Sequence, residues 1–200
     1  MKKFMILAAV AMLVGRASAA VRDTISLNAG WQFHLGELSG IEAVKNAKSE
    51  RVNLPHDFLI GQPWVEPDAS ERPDNSDAGS NVRSRLSPRG FKEMNVGWYR
   101  YVLTPKAEWK GRRVVLDFQG IMLVGDVWLN GKHIGKTDYG YLGFDTDISS
   151  ILKYDGDNEI IVKANTQQPN NSRWYTGGGL YRDVNIIVTD KKLYFPRHPL

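Results

Sequence analysis

Apolar and polar residues alternate with a period of two in short stretches along the chain, and turn residues break the pattern every ten residues or so. The clearest stretches predict strands over 98–103, 113–118, 124–129, 158–163 and 183–188. Because strand side chains alternate in direction, Val114, Leu116 and Phe118 share one face, and so do Ile160 and Val162. No amphipathic pattern of ten or more residues predicts a helix, so the chain reads as an all-β sandwich. In Val127-Trp128-Leu129-Asn130-Gly131-Lys132-His133-Ile134, Asn-Gly between two β-prone runs predicts a hairpin with a type I′ turn. Asp155-Gly156-Asp157-Asn158 predicts a second turn, and one helical turn is expected over 148–152 with Asp147 as its N-cap.

The alternation lapses between Phe58 and Trp98, where Pro63, Pro67, Pro73 and Pro88 stand among Asp, Asn, Ser and Arg. A loop of this length is usually functional or disordered, and this one carries Trp64 and Phe91, which a purely solvating linker has little reason to hold. At the N-terminus, Lys2 and Lys3 precede an apolar run of 11 residues from Phe4 to Val14, and Ala17-Ser18-Ala19 follows. That is the pattern of an export signal over 1–19, with cleavage expected after Ala19. The run is well short of the roughly 20 residues of a spanning helix; the other reading is an N-terminal anchor or a buried helix. Removing 1–19 takes away three cations and no acid, which brings the formal charge of +4 down to +1. The mature domain, 20–200, then has no basic excess to suggest a nucleic-acid partner, and no membrane association is expected after cleavage. The export signal implies a periplasmic or secreted protein. With no cysteine in the chain, such a domain rests on its core alone.

The four histidines, His34, His56, His133 and His198, lack ligand spacing, so neither a metal site nor a cofactor is expected. Gly177-Gly178-Gly179 has no Lys-Ser/Thr and no helix behind it, which argues against a phosphate cradle and for a tight turn or a close backbone approach. No Gly-x-Ser-x-Gly elbow is present. The chemistry is densest over 170–184, where amides, a hydroxyl, guanidinium groups and three aromatics crowd before the last strand. Such a mixture suits a sugar, which offers an apolar face to stack and hydroxyls that need oriented partners. The composition fits equally a pair of core anchors, Trp174 and Tyr181, beside a local Arg182–Asp183 ion pair.

Asn171-Ser172-Arg173-Trp174-Tyr175 through Gly177-Gly178-Gly179-Leu180-Tyr181-Arg182-Asp183-Val184 resembles the closing segment of the N-terminal sugar-binding domain of glycoside hydrolase family 2, which includes β-galactosidases, β-glucuronidases and β-mannosidases. Four more segments agree in family order: Asn28-Ala29-Gly30-Trp31-Gln32-Phe33, Leu54-Pro55-His56-Asp57-Phe58, Gly97-Trp98-Tyr99-Arg100, and the hairpin through Gly135. The resemblance spans about 24–190 and implies a galactose-binding-domain-like jelly-roll β-sandwich. It also implies that the catalytic carboxylates, a pair about 5 Å apart in retaining enzymes, belong to a barrel that lies beyond an immunoglobulin-like domain. These 200 residues are expected to end before both, so no catalytic residue is assigned; Asn158-Glu159 is read as turn and strand chemistry. Carried over position by position, the substrate-binding residues are Asn171, Ser172, Arg173, Trp174 and Tyr175, with His56 and Asp57 on a second loop. The alternative for that second loop is a packed His and a turn-stabilising Asp. Some β-galactosidases hold an acidic metal and sugar ligand where Ser172 stands, so no metal is assigned. The expected ligand is a terminal β-linked sugar, and the expected partners are the barrel and the immunoglobulin-like domain. The expectation is thus the sugar-binding domain of an exported β-galactosidase-like glycosidase; a stand-alone carbohydrate-binding module and a non-binding remnant are the alternatives.

Overall fold

The structure, a computed structural model, describes residues 22–64, 92–167, 177–192 and 194. Among them are ten strands in two antiparallel sheets. The smaller sheet has the order β1 (Asp23–Ser26), β10 (Val184–Thr189), β5 (Arg113–Phe118) and β8 (Phe144–Asp147). The larger has the order β3 (Glu50–Val52), β2 (Trp31–Leu35), β4 (Val96–Leu103), β9 (Asn158–Asn165), β6 (Val124–Leu129) and β7 (Lys132–Thr137). Among the described residues the only α-helix is the single turn α1 (Ile41–Val44).

The alternation decides which side chains meet between the sheets. Val114, Leu116 and Phe118 of β5 and Val184, Ile186 and Val188 of β10 point inward and are fully buried. They face Trp31, Phe33, Tyr99, Val127, Leu129, Ile160 and Val162 from the larger sheet in one core. The intervening residues Trp98 and Ile161 lie on the larger sheet's outer face, where Val44 of α1 packs on them. The fold expectation therefore holds: the chain is a β-sandwich, and four of the five predicted strands begin or end where the pattern placed them.

The hairpin forms at Asn130 and Gly131, whose φ angles of 52° and 81° are the positive pair a type I′ turn needs. Asn130 also spends its side chain on the neighbouring strand: its Oδ1 accepts from Glu159 N at 3.0 Å, and its Nδ2 donates to Asn158 Oδ1 at 2.8 Å. Asn158 is fully buried. Its amide holds the 153–158 turn closed, accepting from Lys153 N at 2.9 Å and donating to Lys153 O at 2.8 Å. Over 148–152 a hydrogen-bonded turn forms without a helix, and Asp147 Oδ1 caps it through Ser149 N at 3.0 Å.

Replacing the buried amide by an apolar group of similar volume strands the donors and acceptors around it, at about 1–3 kcal/mol for each group left unpaired. Asn158→Leu is expected to lower stability by about 2–4 kcal/mol, read from the urea midpoint; an unchanged midpoint would show that the turn does not depend on this amide.

Candidate functional site

The segment after β3 has little choice of path. Leu54 N donates to Asn28 O at 2.7 Å, the Leu54–Pro55 bond is cis, and His56–Phe58 then runs beside Gly178–Leu180. His56 N donates to Leu180 O at 2.8 Å and Phe58 N to Gly178 O at 3.1 Å. Between these two bonds Asp57 turns its carboxylate inward. Its Oδ1 accepts from Gly178 N at 2.8 Å and from Leu59 N at 3.0 Å, which caps the 3₁₀ turn Phe58–Gly61.

The triple glycine makes this approach possible. Gly177 and Gly179 have φ of 75° and 102°, and a Cβ on Gly177 would stand 2.7 Å from Asp57 Oδ2. A Cβ on Gly178 would stand 2.9 Å from both Leu59 Cγ and Thr166 Cγ2, and one on Gly179 would meet the Tyr99 hydroxyl. On its other side Gly179 forms a two-bond bridge with Met122, at 2.9 and 3.0 Å. The close backbone approach expected of the glycine run is therefore its role, and the closely packed neighbour is the His56–Asp57 turn.

Tyr99 reaches this junction from the core side of β4. It is fully buried, and burial raises its phenol pKa far above the ordinary value, so the group stays neutral. Its hydroxyl accepts from Leu180 N at 3.4 Å and lies 2.9 Å from His56 Nδ1. His56 is half-buried and packs edge-on against Phe33, with ring centroids 4.7 Å apart. Burial lowers its pKa, against the weaker opposing pull of the Glu50 and Asp57 carboxylates.

The same end of the sandwich gathers further segments of the sequence. Asn28 Nδ2 donates to Asp183 Oδ1 at 2.8 Å, and Asn28 Oδ1 accepts from Val184 N at 3.0 Å, which joins the first motif to the last. Tyr181 donates its hydroxyl to Gly140 O at 2.8 Å. Arg182 reaches the carbonyls of Gln119 and Tyr141, both at 3.4 Å, so Arg182 and Asp183 serve separate partners and not each other. Asn95 and Thr166 pair at the mouth of β4 and β9, with Thr166 N donating to Asn95 O at 3.1 Å. The hairpin at Asn130 and Gly131 lies at the opposite end of those strands, where β4 pairs Val102 with Glu159.

Of the seven substrate-binding residues expected, the structure brings His56 and Asp57 together at this junction. Asn171, Ser172, Arg173, Trp174 and Tyr175 lie outside the described residues. Tyr99 stood within a quoted motif without a role; the signal for it was its inward place in the period-two pattern, one residue from the outward Trp98. Glu159 is an outward residue, tied to Arg100 Nε at 2.6 Å and Lys45 Nζ at 3.3 Å. It helps line an open cavity of about 450 Å³ under α1, together with Glu42, Lys153 and Asp157. Among the described residues no group of three His, Cys, Asp or Glu side chains is arranged to hold a metal ion.

Comparison with known proteins agrees with the fold. Residues 90–179 match the family described as glycosyl hydrolase 2 galactose-binding domain-like. The chain is 31% identical over 172 residues to the β-galactosidase BoGH2A of Bacteroides ovatus, covering 84% of this chain and 18% of that protein. It is 29% identical over 183 residues to a β-glucuronidase of Bacteroides fragilis, covering 88% of this chain and 22% of that one. The chain thus spans about a fifth of the length of these curated relatives. Among solved structures, a β-glycosidase from Bacteroides vulgatus superposes with a TM-score of 0.65 at 30% identity, over 84% of this chain and 20% of its own. A glycosyl hydrolase family 2 member from Bacteroides cellulosilyticus gives 0.67 at 28% identity, over the same shares.

Two outcomes test the junction. Asp57→Ala removes the acceptor of two backbone amides and is expected to cost about 2–3 kcal/mol and to speed hydrogen exchange at Gly178 N, while Asp57→Asn keeps an acceptor and most of the protection. For His56, a lowered folded pKa means that the unfolded chain binds more protons between that value and the ordinary 6.5. The stabilisation is therefore full above pH 6.5 and is lost as pH falls through the folded pKa. Denaturant titrations from pH 7.5 to 5 are expected to show this fall and to show less of it in His56→Gln; parallel pH profiles would remove the histidine from the account.

Proposed function

The chain carries the galactose-binding-like N-terminal domain of glycoside hydrolase family 2, and we propose that it is the sugar-binding domain of an exported β-galactosidase-like glycosidase. In this reading residues 1–19 are an export signal and the mature domain works in the periplasm or outside the cell. Its ligand is the terminal β-linked sugar of a glycoside. Hydrolysis of the O-glycosidic bond is assigned to a carboxylate pair in a barrel domain outside these 200 residues, joined through an immunoglobulin-like domain.

The observation that carries the reading is the junction at His56–Asp57. Thr166, at the end of β9, and Gly178, before β10, are in van der Waals reach of one another and of Leu59. Thr166, two residues before position 168, is held by Asn95, and Gly178 and Leu180, after position 176, are held by Asp57 and Tyr99. A ligand-binding run with fixed ends loses less entropy on binding than a free one. In the proposal Asn171, Ser172 and Arg173 supply polar partners to the sugar hydroxyls, and Trp174, with Tyr175, supplies a stacking face. His56 contributes its second ring nitrogen, Nε2, while Nδ1 bonds the Tyr99 hydroxyl. Asp57 contributes through the backbone it holds.

The chain is expected to bind methyl β-D-galactopyranoside saturably in calorimetry, to lose that binding in Trp174→Ala and Arg173→Ala, and to leave nitrophenyl β-galactoside and β-glucuronide intact at high protein concentration. A flat titration would overturn the sugar-binding role, and turnover that survives Glu159→Gln would overturn the placement of catalysis elsewhere.

A further inference from the structure

Trp64 departs from the burial of the chain's other described tryptophans. Trp31, Trp98 and Trp109 are buried and Trp128 is half-buried, whereas Trp64 is 65% exposed. It is nevertheless held. Trp64 forms an antiparallel bridge with Lys92, and the preceding residue, Pro63, accepts from Glu93 N at 3.1 Å. The Lys92 ammonium stands 4.3 Å from the indole centroid and donates to two carbonyls, Ile60 O at 3.1 Å and Gln62 O at 2.6 Å. One face of the ring is therefore occupied by a cation with its own fixed partners, and the rest is presented to solvent.

We propose that Trp64 is a stacking site for one pyranose ring of a carbohydrate ligand, next to the ring bound at the His56 turn. The inference rests on the sugar-binding reading and deepens it. A large apolar ring that is rigidly positioned but left uncovered binds a flat apolar surface at little cost in conformational freedom. Among the described residues of this segment the exposed large apolar side chains are Trp64 and Ile60, the latter 68% exposed. A single indole offers far less than the roughly 800 Å² per partner of a protein interface, and its face matches the C–H face of one sugar ring, which stacks on indole. Its position fits the same ligand: Ile60 belongs to the 3₁₀ turn capped by Asp57, and Gln62 is that turn's C-cap, so Lys92 ties the indole to the element that bears the site.

The test titrates the whole chain with methyl β-D-galactopyranoside, which has one ring, and lactose, which has two. The wild-type chain is expected to bind lactose more tightly and to show a change in tryptophan emission with it. Trp64→Ala is expected to lower lactose affinity about fivefold or more, to the level of the methyl galactoside, with the methyl galactoside affinity and the urea midpoint unchanged. Trp64→Phe keeps a ring and is expected to recover most of the difference. Equal lactose affinity in wild type and Trp64→Ala would overturn the proposal while leaving the sugar-binding reading intact, and so would a parallel loss of both sugars with a lowered midpoint. Absence of binding to either sugar by the wild-type chain would overturn both.

Discussion

The junction between the two sheets depends on a single buried hydroxyl. Tyr99 carries its phenol into the core, where an unpartnered hydroxyl would be costly, and the groups that satisfy it come from two distant segments, His56 and Leu180. Backbone ladder bonds between His56–Phe58 and Gly178–Leu180, and the Asp57 carboxylate on Gly178 N, then follow from the same approach. Three glycines in succession are the condition for it, since each would place a Cβ against one of these groups. A side chain at any of the three would have to displace Asp57, Leu59 or Tyr99.

Asp57 accepts from two backbone amides of the protein, whereas His56 bonds the Tyr99 hydroxyl through one ring nitrogen. The two adjacent residues, which the resemblance treats as a pair, therefore do different physical work. Polar groups of this kind fix backbone, and the fixed backbone presents other residues. The cluster of Glu159, Arg100, Lys45 and Gln32 at the opposite end does something simpler, anchoring α1 to the outer face of the larger sheet.

Much of this architecture was legible beforehand because it is local. Strand β5 and the Asn130–Gly131 hairpin depend on near neighbours, through alternation and turn chemistry, and both appear where the pattern put them. Strands β1, β2, β3 and β8 did not show as clear alternations: β3 has three residues and β1 and β8 have four, and β1 is paired only with a strand more than 150 positions later. The site was legible in its motifs and not in its geometry. Nothing in Leu54-Pro55-His56-Asp57-Phe58 says that it pairs with residues more than a hundred positions later, because that pairing is decided by the sandwich. Asn158, read as a turn residue, proved to be the buried bracket of the turn as well, which its polar character concealed.

The register of the smaller sheet constrains when the domain can form. Asp23 of β1 lies opposite Val188 of β10, and among the described residues β10 is also the only neighbour that connects β1 to β5. During synthesis the first strand must wait, unpaired, until nearly the whole domain has emerged, and the closing of so long a loop is entropically slow. The smaller sheet therefore cannot close until β10 is available, whereas every strand of the larger sheet precedes it in the sequence. Until β10 arrives, β1 keeps its backbone donors and acceptors without their ladder partner, an unpaired strand edge of the kind chaperones cover.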